Sequence, residues 1–178
     1  EEAVRRGVDT PSLRHIRVPS AARLNIVGDT HGHLADVFTI FRLCGYPSLT
    51  NMYLFNGDMT DRGNNGVEIC FILFAFQLLY PNSVFINRGN HECLSMNTKY
   101  SFQREICGKY NQILFDRFEN LFNLLPVAFL VEEETLVVHG GLAKYRDVSL
   151  AEIAALDTEQ QPPIVLLRPP EERTRQAE

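Results

Sequence analysis

Leu24-Asn25-Ile26-Val27-Gly28-Asp29-Thr30-His31-Gly32 sets the pattern for the whole chain. Residues 24–27 read as a short buried strand, because a mostly apolar run ends abruptly in a glycine-bounded turn. Asp29 and His31 then offer a carboxylate and an imidazole just past the end of that strand. Residues 34–43 follow with apolar positions at helical spacing. Strand, polar loop and helix make one unit, and the unit recurs. A strand over 52–55 leads into Gly57-Asp58-Met59-Thr60-Asp61-Arg62-Gly63 and a helix over 66–79. A strand over 84–86 leads into Arg88-Gly89-Asn90-His91-Glu92. Strands alternating with helices predict an α/β layered fold, with its ligands just beyond the strand C-termini.

Helical patterns continue over 102–107 and 111–123, and Pro126 ends them. Residues 129–131 and 136–138 flank Glu132-Glu133-Glu134 and predict a hairpin whose second strand ends on His139-Gly140-Gly141. Ser149 followed by Glu152 reads as a capping box that opens a last short helix, to about residue 156. Residues 1–20, with Pro11 and Pro19, read as a lead-in without a fold element. The catalytic domain is expected over 21–157. Residues 158–178, rich in Gln, Pro, Glu and Arg, are expected to be disordered. A first residue of Glu rather than Met is what a fragment or a processed product would show.

With 178 residues, 45% of them hydrophobic, the chain can bury one core. A formal net charge of -5 argues against nucleic acid as the main partner, since phosphate backbones attract basic surfaces. It leaves room for a phosphorylated protein substrate at a locally positive site. Cys44, Cys70, Cys93 and Cys107 show no CxxC pairing and sit among apolar or helical residues. Buried free thiols in a reducing compartment follow, hence a cytoplasmic or nuclear location. The most apolar run, 69–80, contains Gln77 and falls short of the ~20 residues a membrane span needs. No membrane partner and no signal peptide are expected.

The chemistry lies in four loops. Asp29 and His31, Asp58, Asn90 with His91, and His139 each follow a strand. These oxygen and imidazole donors suit a divalent metal such as Mn, Fe or Zn, and Cys93 falls after the third loop rather than in it. A single Gly-Asp pair is ordinarily just a turn. Four such loops in succession, each closing an apolar strand, argue instead for one shared metal centre.

Gly28 to Gly32, Gly57-Asp58 with Asp61-Arg62-Gly63, Arg88 to Glu92 and His139-Gly140-Gly141 together resemble the signature set of the phosphoprotein phosphatase (serine/threonine protein phosphatase) family, within the calcineurin-like metallophosphoesterase superfamily. Residues 78–81 and 96–110 are most similar to the branch that carries tetratricopeptide repeats or EF-hands, neither of which occurs in this sequence. The resemblance implies an αββα metallophosphatase sandwich and hydrolysis of phosphoserine and phosphothreonine in proteins by a metal-activated hydroxide. It implies that Asp29, His31 and Asp58 hold one ion, and that Asp58 bridges to a second held by Asn90 and His139. It also implies that Arg62 and Arg88 clamp the phosphate, and that His91, oriented by Asp61, protonates the departing oxygen. Regulatory domains or subunits outside the chain are the partners it suggests.

Some positions depart from that family. His33 stands where Gln is usual, and Asn87 stands where an apolar residue is usual. No histidine follows His139, and the sequence has no Trp. The second metal site is therefore expected to lack a ligand, and the C-terminal half of the sandwich to be missing. Two other readings stay open: a small-molecule metallophosphoesterase, such as a dinucleotide polyphosphate hydrolase, and a truncated chain without catalytic activity.

Overall fold

Tyr53 and Phe55 point to one side of their strand and Met52 and Leu54 to the other, and all four are buried. A strand covered on both faces must lie between two layers. The structure, a computed structural model, describes residues 12–141 and 147–158. Its first sheet is parallel, in the order β2 (Arg23–Val27), β3 (Asn51–Phe55), β4 (Val84–Ile86). Helices α1 (Leu34–Cys44), α2 (Gly66–Leu79), α4 (Phe102–Lys109) and α5 (Gln112–Asn123) cover one face of this sheet. Phe41, Tyr53, Phe55, Leu73, Phe102 and Phe122 are among the buried residues of that helix-to-sheet core. A shorter helix, α3 (Leu94–Lys99), follows the third polar loop.

The other face packs on a second sheet in the order β1 (Leu13–Ile16), β5 (Ala128–Val131), β6 (Thr135–Val138). Ile16, Met52, Leu54, Phe129 and Val137 form the core between the sheets, where the rings of Phe85 and Phe129 meet at 5.7 Å. Leu13, Ala128 and Leu130 face outward, under Ile153 and Ala154 of α6 (Leu150–Ala154). The layers are thus helices, sheet, sheet, helix, which is the expected αββα arrangement.

Two expectations need correction, and one element goes unread in the sequence. The stretch 13–16, read as part of a lead-in, is a strand: it pairs in parallel with β5, register Leu13 to Ala128. Only Leu13 and Ile16 of its four residues are buried, and they face opposite sides, so no alternating run marks it in sequence. Its presence gives the second sheet three strands. Helix α3 buries only Asn97, so no apolar periodicity announces it. Cys107, expected to be buried, is exposed; all four cysteines are free, but only Cys70 and Cys93 are buried. Of the segment read as a disordered tail, only Thr158 lies within the described residues. No described helix is long and apolar enough to cross a membrane.

Candidate active site

The polar loops meet at the C-terminal ends of β2, β3, β4 and β6. Their backbones are unusual in the same way. His31, Asp58, Asp61 and Arg62 all have positive φ, at 39°, 52°, 65° and 63°. Non-glycine residues seldom adopt that conformation, and where they do the surroundings must hold them there. Close approach is part of that hold. A Cβ on Gly57 would collide with the Gly89 backbone, and one on Gly89 would collide with Asp58, so these loops interlock only as glycines.

Glu92 ties the same loops from beneath. Its carboxylate accepts the backbone N–H of Asp58 at 2.7 Å, of Met59 at 2.9 Å and of Gly89 at 2.9 Å. Burial, with Asp58 nearby, pushes Glu92 up to about 6 against the pull of those three bonds.

Around Asp58 the side chains converge. His31 Nε2 lies 3.6 Å from Asp29 Oδ2 and 3.5 Å from Asp58 Oδ2. Its Nδ1 lies 2.8 Å from the Thr60 carbonyl, which can only accept, so Nδ1 carries the proton and Nε2 presents a lone pair. That buried Nε2 has no hydrogen-bond partner. His139 repeats the device. Its Nδ1 donates to the Asn56 carbonyl at 2.6 Å, and its Nε2 lies 3.1 Å from Asn90 Oδ1 and 3.4 Å from Asp58 Oδ1. Carboxylates, an amide oxygen and two imidazole Nε2 atoms thus face one another, with the His91 backbone N–H donating to Asp58 Oδ1 at 2.8 Å. A divalent cation fits this set, because it satisfies every lone pair at once. The bond to Asp58 raises His139 to about 9 against the effect of burial. Burial acts to raise Asp58, but bonds from His139 and the His91 backbone outweigh it and hold the carboxyl low.

His91 sits on the same rim and is buried. Its ring meets that of His31 edge-on at 4.8 Å, and one ring nitrogen lies in a cluster with His31 and Asp58. Its Nδ1 is 2.8 Å from Asp61 Oδ2. Asp61 is fully buried and accepts three more bonds: from Asn97 Nδ2 at 3.0 Å and from the Ser101 and Phe102 backbone N–H at 2.9 and 2.7 Å. The last two are free donors at the start of α4, which favours negative charge there.

Asp29, His31, Asp58, Asn90, His139, His91 and Asp61 are therefore brought together. Asp29 is exposed and marks the open side. Arg62 is exposed on the second loop, in reach of solvent. Arg88, expected to clamp the phosphate, lies beneath the loops. It is 2% exposed, and its fork is committed to protein: Nε to the Glu92 carbonyl at 3.0 Å, Nη1 to the Thr158 carbonyl at 2.9 Å, Nη2 to Asn123 Oδ1 at 2.7 Å. It ties the third loop to α5 and to the residues after α6. Glu92, Thr60, Asn97 and Asn56 act here without having been singled out in sequence. Glu92 and Thr60 lie within the quoted loops; Asn56 and Asn97 are polar residues whose roles sequence alone does not show.

Comparison with known proteins agrees with this geometry. The calcineurin-like phosphoesterase family model matches residues 22–174. Serine/threonine-protein phosphatase T of Schizosaccharomyces pombe is 49% identical over 148 residues, which is 83% of this chain and 31% of that protein. Serine/threonine-protein phosphatase 5 of Homo sapiens is 42% identical over 141 residues, 79% of this chain and 28% of that protein. The chain thus spans about a third of the length of these relatives. A solved serine/threonine phosphatase from Saccharomyces cerevisiae, described as similar to human phosphatase PP5, superposes with a TM-score of 0.88 at 36% identity, covering 92% of this chain and 53% of that one. A putative diadenosine tetraphosphatase, at TM-score 0.56 and 20% identity, shares the fold. The chain belongs to the calcineurin-like phosphoesterase family, in its phosphoprotein phosphatase branch.

Proposed function

We propose that this chain carries the metal centre of a serine/threonine protein phosphatase and acts on phosphoserine and phosphothreonine in proteins. One observation carries the reading: lone pairs from Asp29, His31, Asp58, Asn90 and His139 converge beside a buried His91–Asp61 pair. Asp29, His31 and Asp58 hold one divalent ion, and Asp58, Asn90 and His139 hold a second. Mn, Fe or Zn suits these donors. Two such ions supply activation of a water nucleophile and neutralisation of phosphate charge.

The chain's own residues do the rest. Thr60 and Asn56 fix the proton of each ligand histidine on Nδ1, so that Nε2 points inward. His91 holds Asp61 with Nδ1, which leaves Nε2 to deliver a proton to the departing serine or threonine oxygen. The buried Asp61 carboxylate stabilises the ring in its charged form and fixes its orientation. Arg62 supplies a guanidinium fork for phosphate oxygens from the open side, while Arg88 serves as a tether.

Leaving-group dependence tests this. In a version of the protein extended to the full domain, His91→Asn is expected to lower manganese-supported turnover of a phosphoserine peptide by ~10²–10⁴-fold, and turnover of p-nitrophenyl phosphate much less, because p-nitrophenolate departs without a proton. Equal losses on both would remove His91 from that role. Turnover of a dinucleotide polyphosphate, with none of the phosphopeptide, would replace the protein substrate with a small one.

A further inference from the structure

Asn87 comes immediately before Arg88 and is fully buried. Its Nδ2 donates to Asn56 Oδ1 at 2.8 Å. With that oxygen taken, the other end of the Asn56 amide faces β6, and Nδ2 donates to the Val138 carbonyl at 3.1 Å. Turning the Asn56 amide over would set its oxygen against the Val138 carbonyl, and the Asn87 bond to Oδ1 holds the amide the same way from its other end. The backbone carbonyl of Asn56 meanwhile accepts from His139 Nδ1. Val138 and His139 are thus both fastened to Asn56, one through its side chain and one through its main chain. Asn56 follows β3 and Val138 ends β6, so this link joins the two sheets at the metal centre.

Packing alone does not account for Asn87. Its Oδ1 is buried without a partner, a cost that an apolar side chain of similar size would avoid. We propose that Asn87 is a positioning residue for His139, acting through Asn56: it locks the Asn56 amide, which holds the end of β6 and keeps the His139 Nε2 lone pair aimed at Asn90 and Asp58. The proposal rests on the reading of His139 as a metal ligand.

The test uses the whole chain, first without metal and then with manganese alone. In metal-free protein at neutral pH, nitrogen–proton NMR should show His139 with a protected Nδ1–H. In Asn87→Leu that signal should broaden or lose its protection as the ring is released from the Asn56 carbonyl. Manganese calorimetry should then show the weaker site loosened by ~10-fold, the size of change usual when a ligand loses its supporting partner, with the tighter site unmoved. Should the leucine variant fail to fold, Asn87→Ser, too short to reach Asn56, carries the same readouts. An unchanged His139 signal in the variant that folds overturns the proposal, whatever manganese does. A wild-type chain that binds no second manganese defeats the reading of the centre instead, and the metal-free spectra still decide whether Asn87 orients His139.

Discussion

The two sheets contribute very unequally to the site. The first is parallel, each strand following the last through a helix-bearing crossover, and its loops deliver Asp29, His31, Asp58, Asn90 and His91. The second is assembled from β1 and a distant hairpin and delivers His139. The first-sheet ligands are braced by interlocked glycines and by the three backbone bonds to Glu92. His139 depends on Asn56 reaching across. Most of the centre is therefore built into one sheet, and it is completed by the way the second is laid against it.

The largest effect should separate those parts. Asp58 lies within 3.5 Å of His31 Nε2 and 3.4 Å of His139 Nε2. Asp58→Asn should weaken manganese binding at both sites by more than ~10²-fold, beyond the loss of a mere supporting group. His139→Ala should remove only the weaker site. Calorimetry that finds all binding lost in His139→Ala would mean that the first sheet holds no site of its own.

Next comes the packing between sheets. Phe129 is buried in the inter-sheet core against Phe85. Phe129→Ala should cost about 3–5 kcal/mol in urea unfolding, a large part of the stability of an ordinary domain. A cost below about 1 kcal/mol would show that the second sheet is not cooperatively joined to the first.

A pH-dependent effect should appear under the first sheet. Glu119 on α5 is buried, chiefly for that reason its carboxyl rises to about 7, and Oε1 has no partner. Its ordinary value is 4.5, so between these values the unfolded chain ionises while the folded one keeps its proton. Stability from this group is full below pH 4.5 and lost as pH rises through about 7. Glu119→Gln should therefore gain on wild type across that window, by on the order of 1–3 kcal/mol at its upper end. A gap that stays constant with pH would show that Glu119 is ionised in the fold.

The smallest effect belongs to the outer cover of the second sheet. Ser149 and Glu152 form a reciprocal capping box at the start of α6. Ser149→Ala should lower stability by about 1 kcal/mol and leave manganese binding unchanged. A loss of metal affinity would mean that α6 reaches the centre.

Legibility followed the same division. The first sheet repeats one unit, so each strand announces itself as an apolar run ending in glycine and ligand residues, and the helices over 34–44 and 66–79 show by periodicity. The capping box and the hairpin at Glu132-Glu133 were equally plain. That hairpin turns with φ of 52° and 59°, the left-handed pair that suits the strand twist. What escaped was decided by distant partners. β1 has two buried residues and a companion far along the chain, and α3 has a polar interior. Arg88 stood out by its motif, but its partners Asn123 and Thr158 lie far from it in sequence.

That long reach of β1 has a consequence for how the protein comes into being. His15 and Glu133, bonded across the second sheet, are 118 positions apart. Chains are made from the N-terminus and pair as segments emerge, so the first sheet can assemble while synthesis is under way. Residues 13–16 cannot. They remain an unpaired strand until 128–131 arrive, and closing so long a loop is slow. During that interval the inner faces of Met52 and Leu54 stand open to solvent, or to another nascent chain. His139 is thus also among the last of the converging residues to find its place, which makes the interval after the first sheet has formed the one in which a chaperone has most to protect.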